Sequence, residues 1–207
     1  LIVEGNLETA NRYYLEEYFY KRPGLNALID DTDTEASYVP TNKHFELVGA
    51  SAASNNCDWG GDYAGILLTT GGTDNNQIIV APHLDAKRDS QADSAWGGIL
   101  WGTENQVVWE CCVTLGTNMK ANAAFWAGLK LTNTSVIATD ANQAYFFIAS
   151  DDDLGNVYAN GYLHFAYSIA DVQYVTNLGL APTVLTQNYR FKISIDGDRK
   201  ISAYING

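Results

Sequence analysis

Glu104 and Glu110 come closest to a catalytic arrangement in this chain. They flank Asn105-Gln106-Val107-Val108-Trp109 and share a strand parity, so both carboxylates would project from one face of an extended segment. An enzyme that cuts sugars on a β-scaffold needs such a pair over a cleft, one group as acid and one as base or nucleophile, typically on closely alternating positions. Here the intervening residues add no further acid, and Glu-x-Asp-x-x-Glu occurs nowhere. A polysaccharide lyase would need a charge-neutralising Arg with a His or Tyr base, and the segment around His164 has no matching Arg-Glu cluster. The sequence also lacks Gly-x-Ser-x-Gly, a phosphate-cradling loop, Cys-x-x-Cys and His-Glu-x-x-His. The expectation is a chain without catalytic residues, in which Glu104 and Glu110 serve the surface.

Metal ligation has two candidate spacings. His83-Leu84-Asp85 follows Pro82 at a strand end and reads as a loop His with a backbone partner. Asp151, Asp152 and Asp153 precede Leu154-Gly155-Asn156, and a contiguous acidic run beside Gly makes a turn more readily than a calcium loop, whose ligands are spaced along the chain. His44 and His164 fall inside strand patterns and read as sheet residues. No metal and no cofactor is expected.

Binding is better served by the aromatics. Trp109 and Trp126 sit in alternating strands and read as core, whereas Trp59 and Trp96 lie beside glycines in loops and are the better candidates for a ligand or subunit surface. Tyr14, Tyr18 and Phe19 belong to an aromatic stripe that packs on a sheet edge or docks on a neighbouring subunit. Asn133-Thr134-Ser135 matches a glycosylation acceptor, relevant only to a secreted eukaryotic protein.

Cys57, Cys111 and Cys112 cannot all pair within one chain. Neighbours in a strand point to opposite faces, so a Cys111–Cys112 disulfide would be strained, and free thiols formed in a reducing compartment are expected. Twelve basic against twenty-four acidic residues give a net charge of −12, which repels phosphate backbones and anionic lipid surfaces. Neither nucleic acid nor a membrane is an expected partner, and no segment has the apolar length of a membrane helix.

The elements that must carry these residues are mainly strands. Charged residues make up only 17% of the 207, beside 13 Tyr, 5 Trp and 18 Gly, a balance that favours strands and turns. Tyr189, Phe191, Ile193 and Ile195 alternate with Arg190, Lys192 and Ser194, a half-buried strand. Asp196-Gly197 suits the positive φ angles of a tight hairpin, and the run through Ile201, Ala203 and Ile205 should fold back on it. Asn206-Gly207 signals another turn with no strand after it, so the chain reads as part of something longer.

Further strands are expected at about Phe45–Val48, Tyr63–Thr69, Gln77–Ala81, Gly98–Trp101, Gln106–Leu115, Ala123–Leu131, Ala144–Ala149, Tyr162–Ile169 and Val172–Val175. Ahead of them, Asn11 can cap a short helix whose stripe is Tyr14, Leu15, Tyr18 and Phe19 and which Pro23-Gly24 stops. The polar run Asp30 to Asn42 reads as a connector. The organisation expected is a helix and connector over 1–43, then an all-β domain over 44–207 made of two packed antiparallel sheets.

Two sets of segments carry resemblances. The closing Tyr189 to Gly207 stretch resembles the late strands of concanavalin-A-like, laminin-G-like jelly rolls. Arg12 to Asn26, Trp101 to Glu110, Phe125 to Asn133 and Ala138 to Phe146 are similar to segments of structural proteins of marine tailed phages, and that resemblance runs through nearly the whole chain. It implies a non-enzymatic virion protein, assembled in the host cytoplasm. Its role would be to decorate or cement the capsid by self-association and docking on other virion proteins, with no catalytic residues carried over. The alternatives are a lectin-like module that binds cell-surface glycans through Trp59 or Trp96, and a glycan hydrolase or lyase acting through Glu110.

Overall fold

The computed structural model describes residues 16–20, 23–25, 45–48, 56–59, 65–73, 76–82, 106–115, 124–129, 143–149, 161–169, 172–180 and 187–207. The chain divides into two compact units, Leu1–Ile99 and Leu100–Gly207. Among the described residues there is no helix, and every strand pairing is antiparallel except one short parallel pair.

The first unit holds β1 (Gly24–Leu25), β2 (Phe45–Val48), β3 (Cys57–Trp59), β4 (Ile66–Leu68) and β5 (Ile79–Pro82). They form a three-stranded sheet in the order β1-β2-β5 and a two-stranded ribbon, β3-β4. Leu47 and Cys57 are its fully buried side chains among the described residues. The part of the expected helix that the structure describes, residues 16–20, is not helical. Phe19 has a φ of 53°, and its N–H donates to Glu17 Oε1 at 2.7 Å, while the Tyr18 hydroxyl donates to Glu16 Oε1. The Glu17 carboxylate, reaching the local backbone, offers an alternative to the helical ladder, and a left-handed residue ends any right-handed turn. Residues 11–15, 21 and 22, the rest of that expectation, lie outside the described residues.

The second unit holds β6 (Val107–Thr114), β7 (Ala124–Leu129), β8 (Gln143–Ala149), β9 (Leu163–Ile169), β10 (Val172–Leu180), β11 (Asn188–Ile195) and β12 (Ile201–Ile205). Two sheets result, β10-β9-β8-β7 and β12-β11-β6. Their facing side chains share one core. From β11 come Tyr189, Phe191, Ile193 and Ile195, from β6 Val107, from β8 Ala144, Phe146 and Ile148, and from β9 Leu163 and Phe165. The sequence alternation in β11 is what builds this sandwich-like arrangement, because every second side chain faces the other sheet. Phe191 is completely buried and stacks on Phe146 of the opposite sheet, with ring centroids 4.8 Å apart. Removing the accessible surface of one such ring contributes about 1.5–3 kcal/mol.

Strand β8 explains a different pattern. Ala144-Tyr-Phe-Phe-Ile148 is continuously apolar, and residues 143–148 are buried on both sides of the sheet. Tyr145 and Phe147 form, with Ala166, a second cluster against which Trp126 and Val175 pack. A strand buried on both faces has no polar face to show. On the neighbouring strand Gly128 permits the pairing: a Cβ there would lie 2.4 Å from the Ala144 carbonyl oxygen and 2.6 Å from Tyr145 Cα. No side chain fits that approach.

The closing hairpin forms, but with a different turn from the one Asp-Gly predicts. Positive φ falls on Arg199 (62°) and not on Gly197. The Arg199 N–H donates to the Asp196 carbonyl, and the Asp196 N–H donates to the Lys200 carbonyl. This is a three-residue loop, a tight turn followed by one left-handed residue. Asp196 Oδ1 accepts from the N–H groups of Asp198 and Lys200, at 3.0 and 2.9 Å, and that side-chain bridge decides the turn type.

Candidate contact surfaces

Two surfaces of the second unit follow from its strands. The first is the outer face of β6, β11 and β12. Alternation that sends Phe191 and Ile193 inward sends Arg190, Lys192, Glu110, Cys112 and Tyr204 outward. Arg190 stands directly opposite Cys112, and its Nε donates to Glu110 Oε1, one position diagonal, at 2.6 Å. That contact raises the guanidinium pKa further. Lys192 Nζ lies over the Tyr204 ring, 5.9 Å from its centroid. Glu110 is thereby engaged in an ion pair on an open sheet face. Thr114 and Asn188 close the row with a side-chain hydrogen bond.

The second surface is β10, which pairs with β9 on one side and is the terminal strand of its sheet among the described residues. It reads Val-Gln-Tyr-Val-Thr-Asn-Leu-Gly-Leu, nine residues with no charge. Seven of the nine are exposed; only Val175 and Leu178 are half-buried. In the second unit seven large apolar side chains are exposed among the described residues; Val172, Tyr174 and Leu180 lie on β10 itself, while Ile169 ends the neighbouring β9 and Tyr162 precedes it. The register with β9 runs unbroken from Val172 to Asn177 and then shifts before Leu180. At the shift Gly179 has a φ of +69°, and its N–H donates to Asn177 Oδ1. Tyr174 stacks on Tyr167, with centroids 4.8 Å apart.

The residues singled out by sequence fall in several places. Tyr18 is exposed at 52%, and Phe19 is half-buried with its ring edge-on to Phe45 at 5.4 Å, so the two do not form one stripe. Trp59 ends β3, its backbone opposite Ile66, in a strand and not in a loop. Tyr14, Trp96, Trp101, Glu104, His44, His83, Asp85, Asp151 to Asp153 and Asn156 lie outside the described residues. Trp109 and Trp126 pack against the two core clusters, as their strand positions imply. Among the described residues no group of three His, Cys, Asp or Glu could hold a metal ion, and no helix is long and apolar enough to cross a membrane.

His164 is a sheet residue in fact. It is buried, stacked on Phe147 at 4.9 Å, and its Nδ1 bonds the Tyr162 carbonyl at 2.9 Å; a carbonyl only accepts, so Nδ1 carries a proton. Burial lowers its pKa, with the carbonyl contact opposing. The three cysteines form no disulfide with one another. Cys111 faces the core and burial, then the nearby Cys112 and Glu110, push its thiol up to about 12, while Cys112 is exposed on the other side of the strand. The sequence reading missed the length of β10, which it ended at Val175; the absence of any Lys, Arg, Asp or Glu over nine residues was the available signal. No protein-family model, no curated protein and no solved structure matches the chain.

Proposed function

We propose that this chain is a non-enzymatic structural component of a phage particle, a jelly-roll module of concanavalin-A-like type that decorates or cements the capsid by self-association and docking. Its place of action would be the assembled virion. The observation that carries the reading is the concentration of exposed apolar side chains along the β10 edge, since such a row left facing water marks a contact surface. Two further features support it. Phe191 and its neighbours tie the two sheets into a stiff body, the property a coat component needs. Glu110 engages its carboxylate with Arg190 at an open face.

Mass spectrometry and imaging of purified particles test the proposal. Peptides of this chain should be present in many copies per particle, at the outer surface of the head. Their absence from purified particles would refute it. Turnover of marine polysaccharides by the isolated chain, lost in Glu110→Gln, would refute the non-enzymatic part.

A further inference from the structure

We infer that the β10 edge joins two copies of this chain, with β10 of one pairing antiparallel to β10 of the other about a two-fold axis. This rests on the self-association reading above and names its surface and geometry.

A terminal strand offers a row of backbone N–H and C=O groups to any extended segment. Proteins blunt such edges with Lys, Pro, inward charges or a bulge, and in β10 only the bulge is present, beyond Asn177. The stretch Val172–Asn177 keeps a regular register, and its outer side is left open among the described residues. The occupant is set by charge and symmetry. With a net charge of −12, two copies repel each other over most of their surface, and close approach costs least where a long segment is uncharged. β10 is such a segment, nine residues long, and its exposed side chains are apolar or neutral polar.

An axis normal to the sheet keeps equivalent faces on the same side, so each residue meets one of like parity and one residue meets itself. Centred on Val175, Gln173 of one copy lies opposite Asn177 of the other, amide beside amide, and Tyr174 lies opposite Thr176. The pairing stops on both sides where the bulge begins. Each copy contributes the four described strands β10-β9-β8-β7, so the two sheets join into one with both β10 edges satisfied.

Sedimentation equilibrium over a range of concentrations tests this with three forms of the chain. The unaltered chain should dimerise. Tyr174→Lys/Thr176→Lys and Tyr174→Glu/Thr176→Glu should each remain monomeric, because like charges then face each other twice across the axis. An equimolar mixture of the two variants should regain the dimer as a mixed pair, since a lysine of one variant then faces a glutamate of the other at both of those opposed positions. That rescue excludes simple misfolding. A lysine variant that dimerises as tightly as the unaltered chain, or a mixture that stays monomeric, overturns β10 as the junction and leaves self-association standing. An unaltered chain that stays monomeric at every concentration overturns both.

Discussion

Strands β10 and β11 are nearly equal in length and belong to one unit, yet they are built to opposite ends. β11 is flanked on both sides, by β6 and β12, and its side chains alternate between a dry interior and a charged exterior. β10 is flanked by β9 alone among the described residues, has no charge, and is exposed along both faces. A strand whose sides are both satisfied can use its outward positions for Arg190 and Lys192 without disturbing packing. A strand with one open side needs such charges most, because they keep other strands away, and β10 has none. The difference indicates that β11 specifies the fold and β10 serves what lies outside it.

The contrast can be broken most sharply at Phe191. Its replacement by Ala should cost about 3–5 kcal/mol, because the ring is fully buried between the sheets and the cavity cannot refill from the stacked Phe146. Urea denaturation gives the value, and a loss under about 1 kcal/mol would show that β11 does not hold the core together. Gly128→Ala should cost about 1–3 kcal/mol by the same assay, since its Cβ meets backbone atoms that cannot yield. Asp196→Ala, which removes the acceptor for two turn N–H groups at the end of β11, should cost about 1 kcal/mol.

Acid sharpens the picture on the buried face of β9. The folded pKa of His164 lies below the ordinary 6.5, so the unfolded chain takes up the proton first. The stability that neutral His164 supports is complete above about 6.5 and is lost as the pH falls from there toward the lowered folded pKa. His164→Phe should flatten this part of the profile, read as the difference between the two chains' denaturation midpoints at neutral and mildly acidic pH. The smallest effect belongs to the outer face of β11. Glu110→Gln should leave the melting temperature within experimental scatter, because the Arg190 side chain is exposed and exposed pairs are screened.

What the residues disclosed follows the same division. The β11–β12 hairpin, β6 and β8 were legible, because a core-facing strand writes its environment as alternation or as an unbroken apolar run. Val172–Leu180 was cut short at Val175 because Asn177 and Gly179 read as turn residues, while in the fold they make a bulge within a continuing strand. Trp59 reads as a loop residue because glycines follow it, yet it ends a three-residue strand, and so short a two-stranded ribbon leaves little periodicity. The helical spacing of Leu15, Tyr18 and Phe19 was genuine as a pattern. Glu17 overrides it locally, and no propensity scale registers a side chain that bonds the backbone two residues away. Candidate contact residues were chosen by type, Trp before Tyr, whereas the exposed edge is a property of position.

Hydrogen exchange of β10 amides against β11 amides, followed as protein concentration rises, tests the central claim most directly. The account predicts that β11 is strongly protected at every concentration, while the outward-facing amides of Val172–Asn177 exchange quickly in dilute solution and slow as the chain associates. Full protection of those β10 amides in the dilute monomer, or exchange that ignores concentration, would contradict it.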